Sequence, residues 1–119
     1  MHIRDFSVFN KLRCESHKGF NHQLSGWGMS DWFTATMGEL VQAANVAKKL
    51  NSVRDGIPGN SETQEELKKQ LSDELANTFI YLDLLAQSQG IDLENAVITK
   101  FVKTSAKLVY KSEIINRST

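Results

Sequence analysis

The amino-acid sequence predicts an all-α fold. Four segments repeat their apolar residues at helical spacing, and none shows the apolar-polar alternation typical of a strand bounded by turn residues. Glycine-containing stretches separate these segments, and the only proline in the sequence falls in one of them. We therefore expect four helices and no sheet.

The first helix is predicted over residues 4–17, where apolar residues recur every third position from Phe6 onward. The stretch "HKGFNHQLSGWG" then interrupts the pattern with three glycines, which predicts a long connection. The second helix should begin at a cap formed by Ser30 or Asp31 and continue to about residue 52. The following stretch, "NSVRDGIPGN", predicts a loop.

The third helix is predicted to start at a Ser61 cap and to end at Gly90, a length of about 28 residues or about 42 Å. Three glutamates in its first turn suit the positive end of the helix dipole. Asp92 can cap a fourth helix through "LENAVITKFVKTSAKLVYK", and we expect "SEIINRST" to be a frayed tail. One domain over residues 1–119, folded as a four-helix bundle, accounts for these elements.

The third helix is apolar on nearly its whole circumference. One broad arc contains most of its leucines together with Phe79, and Ile80 and Leu84 lie outside that arc. A helix of this kind either faces its own bundle on one side and a second copy of the protein on the other, or is wrapped entirely by its own three partners. We expect the first arrangement, a homodimer or homotetramer.

Composition excludes several classes of partner. The chain has a formal net charge of zero, with 40% hydrophobic and 24% charged residues, so it lacks the basic excess typical of proteins that bind nucleic-acid duplexes. No apolar run approaches the roughly 20 residues of a membrane span, and we expect a cytoplasmic protein without a membrane partner. Cys14 is the only cysteine, which excludes an intramolecular disulfide and predicts a half-buried structural thiol.

Two helices each place a carboxylate and an amide one turn apart. Glu74, Asn77 and Tyr81 form a stripe along the third helix, and Glu39 and Gln42 have the same spacing on the second. Both glutamates lie beside apolar arcs and should point inward. Because inward carboxylates need a compensating cation, Mg²⁺ bound by oxygen ligands is one expectation. Ordinary ion pairs with Lys48, Lys49, Arg54 or Lys100 are the other.

The order of these motifs resembles a known family. GE39-x-x-Q42, "KKLNSVRDGIPGN", E74-x-x-N77, "FIYLDLLA" and "GIDLENAVITKF" together resemble the MazG-like all-α nucleotide pyrophosphohydrolases over roughly residues 27–110. The resemblance implies an enzyme that converts a (d)NTP and water into a (d)NMP and pyrophosphate. It also implies two acidic pairs, E-x-x-E and E-x-x-D, which hold Mg²⁺, or alternatively Mn²⁺, against the phosphates.

The chain departs from that pattern at the second acid of each pair. Glu39 and Glu74 match the first acids, whereas Gln42 and Asn77 stand where the family has glutamate and aspartate. Two carboxylates suffice for one divalent ion, and amide oxygens are weaker, neutral ligands. Any general-base role therefore falls on Glu39 or Glu74, on substrate oxygens or on metal-bound hydroxide. Three alternatives follow. The protein is an active Mg²⁺-dependent enzyme, or a nucleotide-binding or interaction module without turnover, or a variant in which the two amide residues were engineered to trap a substrate complex.

Seven residues are predicted to contact the substrate. Lys48, Lys49 and Arg54 follow the first pair and either bind phosphate oxygens or are solvated helix-end charges. Two fourth-helix lysines, one aromatic residue before the second helix and one tyrosine complete the set by resemblance or stacking chemistry. These are Lys100, Lys107, Trp27 and Tyr81. We expect Trp32 to be a core residue and the three histidines, His2, His17 and His22, to lie at the surface.

Overall fold

The structure, a computed structural model, describes residues 1–108, and over that range it contains helices and the loops that connect them, with no strand. The all-α prediction is confirmed for these residues. The elements in chain order are α1 (Ile3–Glu15), a short 3₁₀ turn (Leu24–Gly26), α2 (Met29–Arg54), α3 (Gln64–Ser88) and α4 (Leu93–Lys107). The predicted extension of the fourth helix beyond residue 108 and the predicted frayed tail lie outside the described residues.

Two of the predicted helix caps are wrong by two or three positions. Gly28 occupies the cap of α2, and Asp31, inside the first turn, accepts a hydrogen bond from the Gly28 N–H at 2.9 Å. Thr63, not Ser61, caps α3, because its hydroxyl oxygen accepts the Glu66 N–H at 3.1 Å. In both cases a polar side chain satisfies a free N–H group of the first turn, and the geometry of the incoming chain selects which one.

The cap of α4 is as predicted. The Asp92 carboxylate accepts the Asn95 N–H at 3.1 Å, and Arg4 at the start of α1 donates to the same carboxylate at 3.0 Å. The Arg4 guanidinium also lies 3.4 Å from Glu94. These ion pairs join the first turns of α1 and α4.

Helices α2 and α3 form an antiparallel hairpin that is the centre of the fold. Lys49 and Glu62 meet at 3.3 Å near the connecting loop, and Gln42 and Glu74 meet farther along. Trp32, at the beginning of α2, packs with residues near the end of α3. This pairing brings the two predicted acid-amide motifs to the same level of the hairpin.

The apolar core lies where α1 and the loop after it cover the far end of this hairpin. Trp32 is 1% exposed, as predicted for a core residue, and its indole N–H donates to the Leu24 carbonyl at 3.1 Å. The buried cluster also contains Cys14, Leu84 and Leu85, and Tyr81 packs against it. Burial of apolar surface at this point holds the loop over α2 and α3.

A buried polar network fixes α1 on α3. Asp83 has no exposed surface, and its carboxylate accepts hydrogen bonds from Ser7 Oγ, from Asn10 Nδ2 at 3.0 Å and from Gln87 Nε2 at 2.9 Å. The Asn10 amide also donates to the Ile80 carbonyl at 3.0 Å. Because every partner here is a neutral donor, the network specifies the register of α1 against α3.

The prediction of an apolar circumference on α3 is confirmed in part. Leu67 and Leu84 are buried, but Leu75, Phe79 and Leu82 are at least one-third exposed although they belong to the predicted arc. On α2, five further large apolar side chains are exposed, namely Met29, Phe33, Met37, Leu40 and Val41. No helix within residues 1–108 is both long and apolar enough to span a membrane.

Candidate functional site

The two predicted carboxylates meet between α2 and α3. Glu39 lies on the inner face of α2, one turn from the buried residues Thr36 and Ala43. It is half-buried, as is Glu74 on α3. Partial burial raises the pKa of Glu39 above its ordinary value of 4.5, and the Glu74 side chain raises it further through a hydrogen bond and through its negative charge. The two carboxyl groups therefore lie within hydrogen-bond reach of each other.

No basic side chain of residues 1–108 forms a salt bridge with either carboxyl group. Lys49 is 3.3 Å from Glu62, and Arg54 pairs with its neighbour Asp55 at 2.8 Å. Two of the basic residues offered as ion-pair partners are thus engaged elsewhere. Within residues 1–108, therefore, ordinary ion pairs do not neutralise Glu39 and Glu74.

The two amides differ in their relation to the acids. With its nitrogen turned toward α3, the Gln42 amide donates to both Glu74 oxygens, at 3.2 and 3.3 Å. Rotating the same amide by 180° would present its oxygen instead, which is the orientation that a metal ion requires. Asn77 is exposed and lines the adjacent cleft together with Glu39. All four residues predicted as metal ligands therefore lie at one place.

Next to the acids is a cleft of about 340 Å³. Its wall is largely aromatic. His22 lies edge-on to Trp27 with the ring centroids 4.6 Å apart, and Trp27 lies edge-on to Trp32 at 4.7 Å. The cleft is also lined by Arg13, Cys14, Phe20, Ile80, Tyr81 and Leu84. The site therefore combines the Glu39 carboxylate with a wall of aromatic rings that are steeply inclined to one another.

The loop after α1 builds much of this wall by folding back on its own helix. The Phe20 N–H donates to the Arg13 carbonyl at 3.1 Å, and the His22 N–H donates to the Cys14 carbonyl at 2.8 Å. A side chain at Gly19 would place its Cβ 1.9 Å from the Arg13 carbonyl oxygen, so only glycine fits there. These contacts set the aromatic rings at the mouth of the cleft.

His22 is not the surface residue that the sequence predicted. Its ring is half-buried and lies edge-on to both Trp27 and Trp32, and its Nε2 is buried with no hydrogen-bond partner among the described residues. The physical reason is that the loop brings the His22 ring into contact with Trp27 and Trp32, two residues that follow it by five and ten positions in sequence. Cys14 is more buried than predicted, at 4% exposure, and desolvation raises the pKa of its thiol.

The predicted substrate residues fall into two groups. Trp27 and Tyr81 line the cleft together with Glu39. The five predicted basic residues, Lys48, Lys49, Arg54, Lys100 and Lys107, are exposed and are absent from its lining. Their contact with phosphate stays a prediction.

Sequence reasoning missed the contribution of α1 and its loop. Arg13, Phe20, His22 and Cys14 all line the cleft, yet none was predicted to bind substrate. The signal present in the sequence was the glycine-rich interruption after the first helix, which predicted a long connection but not its path. Such a loop is a common location for binding residues.

The donor set fits a hard divalent ion such as Mg²⁺ or Mn²⁺. Within residues 1–108 there is no group of three or more His, Cys, Asp or Glu side chains placed to hold a metal. The set at this site is instead two carboxylates and two amides, all of which offer oxygen. The two acids also meet without a basic partner, which is the charge arrangement that a cation would relieve.

Comparisons with protein-family models, with curated proteins and with solved structures found no match. The resemblance to MazG-like pyrophosphohydrolases stays a prediction from the sequence motifs. The geometry bears on function through three features: the acid pair, the neighbouring amides and the aromatic cleft.

Proposed function

We propose that this protein is a Mg²⁺-dependent nucleotide pyrophosphohydrolase, which converts a (d)NTP and water into a (d)NMP and pyrophosphate. The observation that supports the proposal most directly is the meeting of Glu39 and Glu74 beside an aromatic cleft, without a basic partner among the described residues. A purely structural helical hairpin gains nothing from placing two carboxylates together, because their repulsion opposes folding.

Glu39 and Glu74 are the proposed charged ligands, and the side-chain oxygens of Gln42 and Asn77 are the neutral ones. The ion supplies positive charge to the phosphates and acidifies bound water when it is present. Glu39 is the proposed proton acceptor, because it is the carboxylate that lines the cleft and an amide cannot accept a proton near neutral pH. Its role is to take a proton from the attacking water.

The aromatic wall is the proposed site of the nucleobase. Trp27 lies at the cleft edge, 38% exposed, and its indole is supported edge-on by His22 and Trp32. An exposed aromatic face of this kind stacks on a base with a gain of about 1 to 3 kcal/mol. Tyr81 lines the same cleft and offers a hydroxyl for a polar contact.

A second candidate function is nucleotide binding without hydrolysis. It is favoured by the Gln42 amide, which donates to both oxygens of Glu74 and so satisfies that carboxylate without any metal. A glutamate at this position would instead add a third carboxylate. The module would then keep the cleft but lack the charge needed to hold metal and triphosphate together.

Pyrophosphate release distinguishes the two functions. The assay uses each common dNTP and NTP with Mg²⁺ and with Mn²⁺, on the wild type and on a Gln42→Glu, Asn77→Asp double variant. Turnover by the wild type supports the enzyme. Nucleotide binding without turnover, together with activity gained by the double variant, supports the binding module. Absence of both binding and turnover in both proteins would refute the two proposals.

A homodimer or homotetramer is part of the proposal. Large apolar side chains remain exposed on both helices of the hairpin, including Leu40, Val41 and Leu75 at 43%, 53% and 51%. The radius of gyration is 17.9 Å, whereas a compact domain of this length has about 14 Å. An open protomer with apolar faces is typical of a subunit that packs on a second copy. A monomeric mass by light scattering at micromolar concentration would contradict this.

A further inference from the structure

Arg13 brings a positive charge to the cleft. Among the lysine and arginine side chains of residues 1–108, it alone lines this cavity. Its guanidinium carbon lies 5.4 Å from the centroid of the Phe20 ring, and no carboxylate in the described chain forms a salt bridge with it. The charge is therefore available to a ligand that enters the cleft.

The backbone holds Arg13 and Phe20 together. The Phe20 N–H donates to the Arg13 carbonyl at 3.1 Å, and the close approach of Gly19 to that carbonyl allows the turn to be tight. A guanidinium that lies over an aromatic ring at this distance keeps N–H groups on its edge free for other partners. That edge is suited to two parallel hydrogen bonds with a phosphate group.

The charge balance of the site calls for such a group. Glu39 and Glu74 together offer two negative charges, enough for one divalent ion. A triphosphate adds several more negative charges, and the other predicted basic residues do not line the cleft. We infer that Arg13 binds a phosphate group of the nucleotide and that Phe20 positions its guanidinium. The inference rests on the proposed function, because it requires a nucleotide in this cleft.

Titration calorimetry with inorganic triphosphate and with each dNTP tests the role of Arg13, with Mg²⁺ and with EDTA. Arg13→Gln should weaken binding of all these probes by a similar factor, about 10- to 100-fold, as expected when a charge-assisted hydrogen bond is lost. Arg13→Lys keeps the positive charge but loses the planar guanidinium, so its affinity for these probes should lie between those of the wild type and Arg13→Gln. Lys11→Gln, at an exposed α1 position outside the cleft lining, is the matched control and should bind as the wild type does.

The contribution of Phe20 is tested separately with Phe20→Leu, which keeps the Arg13 charge but removes the ring. We expect weaker binding of inorganic triphosphate, with circular dichroism confirming that each variant is folded. If the wild type binds these probes and Arg13→Gln binds them equally well, this inference alone is overturned. A loss that depends on the base and spares inorganic triphosphate also overturns it, by assigning Arg13 to the base. A wild type that binds no probe overturns the proposed function as well.

Discussion

Replacing Glu39 by glutamine should stabilise the metal-free protein at neutral pH and abolish its response to Mg²⁺. Because burial and Glu74 raise the pKa of Glu39 in the folded state, the folded protein binds that proton more tightly than the unfolded chain. The stabilisation that this provides is complete below the unfolded pKa near 4.5 and is lost as the pH rises through the raised folded pKa. At pH 7 to 8 the ionised pair then opposes folding.

The size of the effect follows from the charges involved. Two unit charges about 4 Å apart repel by about 1 kcal/mol in water and by about 4 kcal/mol at an effective dielectric constant of about 20. Both carboxyl groups are only half-buried, so solvent screening favours the lower part of this range. We expect Glu39→Gln to raise the free energy of unfolding by about 1 to 2 kcal/mol, or the melting temperature by about 4 to 8 °C.

The response to Mg²⁺ should change in the opposite direction. At a concentration ten times its Kd, an ion bound only by the folded state adds about 1.4 kcal/mol, and Glu39→Gln should lose that gain. Thermal melts at pH 7.5, with EDTA and with increasing Mg²⁺, measure both effects. Asp73→Asn, which removes an exposed carboxylate next to Glu74 in sequence, is the control and should change neither. A Glu39→Gln protein that is less stable without metal, or that still responds to Mg²⁺, would refute the reasoning.

Three further predictions concern the polar network, the loop and pH. Asp83→Ala leaves the buried Asn10 amide without its carboxylate partner and should lower the free energy of unfolding by about 3 kcal/mol, as measured by urea titration. An unchanged urea midpoint would contradict the role of this polar network in fixing α1 on α3. Gly19→Ala should displace the loop from the Arg13 carbonyl and weaken dNTP binding in calorimetry, whereas unchanged affinity would show that the wall tolerates the displacement. Mg²⁺ binding should strengthen as the pH rises through the raised pKa of Glu39 and should release protons, which calorimetry in buffers of different ionisation enthalpy detects; pH-independent affinity would exclude Glu39 as a ligand.

The helices and the two inward glutamates could be predicted because both depend on local regularity. A helix places every residue at a fixed angle from its neighbours, so the apolar pattern around Glu39 also states which way Glu39 points. The Asp92 cap was predictable for the same reason, since its partner is three residues away. The caps at Gly28 and Thr63 were missed because several polar residues compete there, and the path of the chain selects one of them.

The sequence by itself determined the class of fold, the positions of four helices and the pairing of an acid with an amide on each of two of them. Only the tertiary structure decided that α1 and its loop supply Arg13, Phe20 and His22 to the cleft. The physical reason is range: a helix repeats a geometry set within one turn, whereas a loop is placed by contacts distant in sequence. The packing of Leu24, in the loop, in one cluster with Leu84 and Leu85 of α3 is one such contact.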